Sequence, residues 1–427
     1  MKIGANAILL GALVLVCVGF CGQALAETTS RVKPERATPG YAELTGSLFL
    51  PSPQDPFRSP RVRELAVPPF ADATAVWGAT GRDARGHIWF GVSASSDGGS
   101  ARLFEYAPDS DTWTDRGAVL EKLAGLGRKR AGEGQIKIHS KIVPAADGWL
   151  YFASTDEEGE AYDGSRPPRW GGHLWRVHPQ RKNWEHLAAV EHGLVAVSGA
   201  GRFVYALGYF GHVLYQYDTA GGAIRRVDVG SVGGHVSRNF LTDVRGHAYV
   251  PRVVRPAYGS PEVFLVEFDT GLREVGATPL HRYVGRGRLE ENHGIVGVAY
   301  LPDGRLAFST ALGYVYLIEP GAAGAAKVRE ADWLHPAGST YAPSLFSMND
   351  GELVAGVAYR GPRFEWVVTD LRTRASRAFP LDTLGLEGVL LYGSISRDNA
   401  GRLYEVGWAS NGRGGKRPLV LQVDPGP

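Results

Sequence analysis

The chain has 427 residues, 44% hydrophobic and 21% charged, enough apolar side chains for a packed core and too many for a disordered polymer. Lys and Arg total 46 against 44 Asp and Glu, and the net charge of +2 offers no basic field for nucleic acid and no acidic tail. Its 57 Gly are about twice the usual share of roughly 7%, and with 10 Trp, 18 Tyr and 16 Phe they point to tight turns between short aromatic strands, not to a helical bundle.

The first segment reads as an address. Lys2 precedes a near-continuous apolar stretch over residues 7–20, which ends at Ala24-Leu25-Ala26. A charged start, an apolar middle and a small-x-small ending make a secretory signal peptide, with cleavage expected near Ala26. The stretch is short for a membrane span, which needs about 20 residues, and no later stretch is long and apolar enough. Cys17 and Cys21, the two cysteines, both lie here, so the mature chain is expected to have no disulfide and no Cys-based metal site. A lipid anchor at Cys21 is the competing reading, but Phe20 stands where a small residue should precede it. The expectation is a secreted or periplasmic monomer, not inserted in a membrane. Residues 27–43 are a polar, Pro-containing lead-in, and residues 44–427 read as a single domain.

That domain repeats itself. A turn followed by a short apolar strand recurs seven times, as in Asp83-Ala-Arg-Gly-His-Ile-Trp-Phe90, Asp147-Gly-Trp-Leu-Tyr-Phe152 and Asp243-Val-Arg-Gly-His-Ala-Tyr-Val250. The turn glycines are Gly86, Gly148, Gly201, Gly246, Gly304, Gly351 and Gly401, spaced by 45 to 62 residues. Asp before Gly is hairpin chemistry, because Gly accepts positive φ and Asp bonds its own backbone. A second alternating strand follows each copy, such as Val213-Leu-Tyr-Gln-Tyr-Asp218. Seven such pairs predict an all-β fold, a seven-bladed β-propeller of four-stranded antiparallel blades. Residues 119–126 are the one helical stretch expected. The last blade runs out of chain at Pro427, so its outer strand should come from residues 42–50 or 62–67, which would close the ring and remove its open edges.

Propeller topology puts the Asp-Gly turns at the bottom. The entry to each inner strand and the link between its second and third strands lie at the top, with long insertions expected over 155–172, 251–262 and 408–418. Loops on a rigid scaffold carry chemistry, so the top mouth is the place to look. Counting about ten residues back from each turn glycine places Trp77, His139, His235, His293, Tyr341 and Tyr392 at the axial mouth. The top loops add Tyr162, Arg169, Trp170, His173, Tyr209, His212, Arg252, Arg255 and Tyr258, and Gly233-Gly-His-Val-Ser-Arg-Asn239 brings Arg238 and Asn239. Gly-Gly before His would let backbone run close beside a ligand or simply make a tight turn. His87 and His247 follow bottom turns and read as structural. Acidic residues 156–163 read as a solvated loop.

His, Arg and Tyr at one mouth suit an anion. No phosphate loop, G-x-S-x-G, H-E-x-x-H or Cys cluster is present. The set fits β-elimination on a uronic acid polymer: a cation neutralises the carboxylate, Tyr or His takes the neighbouring carbon proton, and Tyr protonates the departing glycosidic oxygen. Candidates for these roles are His139, Tyr209 and His173. The substrate-binding set is His235, Arg238, Asn239, Arg252, His212, Trp170, His293 and Tyr341. The alternatives are a non-catalytic propeller that binds a glycan or protein, and a metal-dependent propeller enzyme of lactonase or oligogalacturonate lyase type with a divalent ion at His139, His235 and His293.

The order Lys137-Ile-His139, then Asp147-Gly-Trp-Leu-Tyr-Phe152, then Gly171-Gly-His-Leu-Trp-Arg-Val-His-Pro179 resembles the propeller polysaccharide lyases of the ulvan lyase type, over roughly residues 134–252. The resemblance implies an exported seven-bladed propeller that cleaves uronate-containing sulfated polysaccharide through His and Tyr, with Arg at the carboxylate; no cofactor is expected. It implies a catalytic or carboxylate-neutralising role for His139, a place in the same cleft for His173 and an acid/base role for Tyr209. That family's structural zinc commonly involves a Cys, which the mature chain here lacks, so the metal is not implied.

Overall fold

The computed structural model describes residues 56–95, 98–285, 289, 292–348, 353–393 and 396–426. The leader with its two cysteines, the lead-in, the strand expected at 42–50 and the turn at Gly351 lie outside these residues.

Seven antiparallel sheets form the described chain. In the first blade a split inner strand, Ala73–Ala75 and Thr80–Arg82, is followed by Ile88–Ala94, Arg102–Ala107 and Thr112–Ala118. The second blade has inner pieces Lys137–Ile138 and Val143–Pro144, then Leu150–Thr155, Gly172–Val177 and Trp184–Val190. Blade three starts with Leu194–Ala200, blade four with Leu241–Thr242, blade five with Ile295–Tyr300 and blade six with Phe346–Ser347. Blade seven is Leu390–Leu391, Leu403–Ser410 and Lys416–Asp424, with Arg61–Glu64 as its outer strand. Arg61 pairs with Asp424 and Glu64 with Leu421, so the second of the two expected segments closes the ring.

The core is divided among the blade interfaces. Buried apolar side chains fall into seven clusters, each joining two neighbouring blades. The cluster of Val76, Ile88, Phe90, Tyr404, Val406 and Val420 joins blade one to blade seven, so packing as well as pairing closes the ring. Middle strands are covered on both faces, which is why Ile88–Ala94 is buried throughout and reads as a continuous apolar run instead of an alternation. The helix α1, Val119–Gly125, follows the outer strand of blade one. It lacks a side-chain cap at Ala118; Glu121 accepts the Ala118 N–H at 3.3 Å and Ser100 Oγ accepts that of Leu120 at 3.0 Å.

The repeated Asp is a staple at three of the bottom turns. Asp243 Oδ1 accepts the N–H groups of Arg245 and His247 at 2.8 and 3.1 Å, and its Oδ2 accepts Tyr249 Oη–H at 2.6 Å. Asp398 does the same for Ala400, Arg402 and Tyr404, and Asp83 for Arg85, His87 and Trp89. Gly246 between them has φ 80°, which a side chain would resist. The aromatic six residues after the Asp is therefore part of the turn.

Two of the three long insertions are shorter than expected. The second strand of blade four runs on to Val254, paired with Glu262, and that of blade seven to Ser410, paired with Lys416. Only blade two keeps its full loop, between Thr155 and Gly172.

Candidate functional site

A cavity of about 240 Å³ opens at the top of the axis. Four of the six residues expected at the mouth line it: Trp77, His139, His293 and Tyr392. Tyr209, Tyr162 and Arg238 also line it, as expected, and so do Lys137, Glu157, Glu160 and Phe210.

His139 enters from blade two. Its Nδ1 donates to Val195 O at 3.0 Å, so the lone pair sits on Nε2. Burial, then the charges of Arg238 and Lys137, hold it well below the usual imidazole range, so the ring is neutral. Tyr209 lies edge-on to it, with ring centroids 6.5 Å apart. Burial, then Glu157 and Glu160, push this phenol well above its usual value. A neutral base and a protonated phenol therefore share one wall.

Arg238 supplies the cation. Its guanidinium lies 4.2 Å from the Tyr392 ring centroid and donates from Nη2 to His293 Nε2 at 3.2 Å. His293 then donates from Nδ1 to Tyr341 Oη at 3.1 Å. Burial, then Arg238, lowers His293 to about 3, so it serves as a neutral acceptor. Among the described residues, Arg238 Nη1 is buried without a hydrogen-bond partner and no carboxylate pairs with this guanidinium. Because Arg238 lines the cavity, its charge is felt there without a neighbouring carboxylate to cancel it.

The blade-two loop covers one side of the mouth. Glu157 is tied to Lys137 Nζ at 2.5 and 2.6 Å. Glu160 Oε2 is buried with no partner, and burial, then the Glu157 charge, pushes its carboxyl up to about 8. At neutral pH Glu160 is an acid, and the cavity keeps the positive charge of Arg238. The acidic run is thus not wholly solvated. Tyr162 stands on the same loop, largely exposed. A run of carboxylates normally faces water, so composition alone hides Glu160; Gly164, packed against Phe210 and Gly234, marks the loop as docked.

Both Gly-Gly pairs serve chain packing. A Cβ on Gly233 would come 2.6 Å from Asp163 O, and one on Gly171 2.0 Å from Val190 O. The backbone that runs close to Gly233 is that of the blade-two loop, which docks there. Its Gly164 meets the segment Phe210-Gly211-His212, where Phe210 and His212 hold φ of 50° and 56°. Such φ values cost bulky residues roughly 1–2 kcal/mol each. They turn Tyr209 and Phe210 toward the mouth.

The other expected residues lie elsewhere. His173 is buried in blade two and does not line the cavity. Arg128 donates to His186 Nδ1 at 2.8 Å, His186 Nε2 to His173 Nδ1 at 2.8 Å, and His173 Nε2 to Glu133 at 3.1 Å. This chain fixes both tautomers and leaves no nitrogen of His173 free. Trp170 is held by Glu158 at 2.8 Å under the guanidinium groups of Arg130 and Arg169. His235 is fully buried between Ser231 Oγ at 2.7 Å and Tyr283 Oη at 2.9 Å, its ring 4.3 Å from that of His212. His212 donates to Pro251 O at 2.9 Å. Asn239 bonds Val296 O at 2.8 Å and ties blade four to blade five. Arg252 is paired with Glu274 at 2.6 Å. Tyr341 stands behind His293.

A metal does not fit His139, His235 and His293. His235 and His293 have both nitrogens engaged, and only His139 Nε2 is open. Ligand-type groups do converge at two bottom turns, Asp83-His87-Glu105 and Asp243-His247-Glu267. There Arg85 and Arg245 each donate to both carboxylates, at 2.6 to 2.7 Å, so a guanidinium already supplies the positive charge. His87 and His247 are part of these turns, as expected.

Fold and site together define a seven-bladed propeller with a polar axial cavity lined by histidine, tyrosine, glutamate and arginine side chains. No protein family model and no curated protein matches the chain. Solved structures similar to it include one titled YCF48 bound to D1 peptide, at 13% identity and TM-score 0.47, over 87% of this chain and 97% of that one. Another is the hydrazine synthase of Kuenenia stuttgartiensis, at 15% and 0.47, over 80% and 94%. A third is TolB from Acinetobacter baumannii, at 12% and 0.34, over 79% and 80%. These similarities are too low to bear on function, and the blade count rests on the sheet topology described above.

Proposed function

We propose that the protein is an exported polysaccharide lyase that opens uronate-containing chains by β-elimination in the axial cavity. The observation that carries this reading is the guanidinium of Arg238, which no carboxylate among the described residues pairs, on the same cavity as the open Nε2 of His139 and the hydroxyl of Tyr209. Arg238 would bind the uronate carboxylate and hold the charge that spreads onto it when the neighbouring carbon proton leaves. His139 Nε2 would take that proton. Tyr209 Oη–H would protonate the glycosidic oxygen as its bond to the sugar breaks. The products are a chain beginning with an unsaturated uronate and a chain with a new reducing end. Glu160, protonated at neutral pH, would leave the bound carboxylate unopposed.

The test is purified mature protein against a panel of uronic acid polysaccharides, reading the ultraviolet band of unsaturated uronates together with reducing ends. Both signals should rise together on at least one polymer. Reducing ends without the ultraviolet band would move the chemistry to hydrolysis by Glu157 and Glu160, a carboxylate pair on the same wall. Binding with neither signal would make the propeller a glycan-binding protein.

A further inference from the structure

The axial cavity continues outward. A groove of about 690 Å³ lies between blades seven and one and shares Trp77 and Lys137 with the cavity. The loop of blade seven that ends at Lys416 makes one wall, and Phe70 with the segment that enters blade one makes the other. The groove has nearly three times the volume of the cavity, so it has room for several sugar rings where the cavity takes about one.

Its charge is unevenly spent. Lys137 is committed to Glu157. Lys416 Nζ lies 4.5 Å from the Trp408 ring and 5.8 Å from that of Trp77, and it makes no ion pair among the described residues. An exposed ammonium held over aromatic faces keeps its charge available to an anion while its stem is ordered. Asp72 is the one carboxylate among the described lining residues.

We infer that this groove holds the acidic sugars next to the one in the cavity, with Lys416 binding a carboxylate or an ester sulfate. The occupant is a polyanionic oligosaccharide that passes Trp77 into the cavity. The inference rests on the reading of the cavity as a uronate site and adds that the enzyme engages the interior of a chain instead of its last residue.

The experiment is calorimetric binding of uronate dimers, tetramers and hexamers, with and without ester sulfate, to the His139→Ala protein, which should not consume them. Affinity should rise about ten-fold or more from dimer to tetramer. In the double variant with Lys416→Glu that gain should fall about three-fold or more, with the melting temperature held. Preference for the sulfated series in this gain would name sulfate as the anion, and equal gain would name carboxylate. Affinity independent of length, a length gain untouched by Lys416→Glu, or no binding of any oligomer would overturn the inference. Elimination by the wild type is read in parallel. Turnover with no length dependence leaves the lyase and removes the groove. Length-dependent, Lys416-dependent binding without turnover keeps the groove and removes the lyase.

Discussion

Arg238 and Glu160 show how the cavity sets its own charge. Arg238 has an aromatic face, a neutral histidine and an orphaned Nη1, so its positive charge is presented instead of cancelled. Arg238→Lys keeps the charge but loses the planar fork, and kcat/KM on a uronate polymer should drop about 10- to 100-fold. Glu160 titrates in the working range. Burial raises it to about 8, so it is neutral below that pH and charged above it. Its negative charge would then oppose a uronate carboxylate, and kcat/KM should fall as pH climbs through about 8. Glu160→Gln should flatten that limb, and a pH–rate profile of both proteins checks it. Residue roles were only partly legible in the chain. His139, Arg238 and His293 are found at the mouth because inner-strand entries point there, and Tyr209 because the loop after the second strand of blade three does. His235 had the same distance from its turn glycine as His293, yet it is buried. Blade four's inner strand is only Leu241–Thr242, and blade five's shifts register between Ile295 and Gly297, so counting residues does not count positions on the axis.

At the scale of elements, the blade-two loop decides the shape of the mouth. Its glycines separate packing from conformational freedom. Gly159 and Gly164 both hold positive φ, at 74° and 76°. A Cβ on Gly164 would lie 2.7 Å from Phe210 Cβ and 3.0 Å from Gly234 N, while one on Gly159 meets nothing within 4 Å. Gly164→Ala should therefore lift the loop and raise KM several-fold, and Gly159→Ala should not, although both pay the same backbone penalty of about 1 kcal/mol. Kinetics beside melting curves for the two variants make the check. Turns and strands were readable because Asp and Gly announce the hairpins. The staple from Asp243 to Tyr249 was not read, because an aromatic in a strand is normally only core. The loop's docking on Gly233 was invisible for a different reason: nothing in local sequence says which distant backbone a glycine makes room for.

For the whole molecule, the ring is closed by short pieces and loaded with buried titratable groups. Val62 sits opposite Val423 in the closing pair and packs on the core between blades six and seven. Val62→Asp should cost about 1–3 kcal/mol and expose a sheet edge, seen as a lower melting temperature and concentration-dependent association. Buried histidines and buried acids pull stability in opposite directions. His212, lowered to about 4 by burial, resists a proton that the unfolded chain takes near 6.5, so its contribution is complete above that pH and is lost as pH falls toward 4. Glu405 is fully buried, and burial outweighs Ser344 and Lys141 nearby and pushes its carboxyl up to about 8. It keeps a proton that the unfolded chain releases near 4.5, so its contribution is complete below 4.5 and is lost as pH rises through 8. Glu405→Gln should raise the melting temperature by several degrees at pH 8 and little at pH 5; an equal change at both would refute the assignment. Elimination by Arg238, His139 and Tyr209 is read out by the ultraviolet band of unsaturated uronates. Wild type would run beside His139→Ala and Tyr209→Phe on whichever polymer it opens. A loss of about 10²- to 10⁴-fold in each variant, with folding intact, is the predicted result. Undiminished rates in either variant, or no band on any uronate polymer, would contradict it.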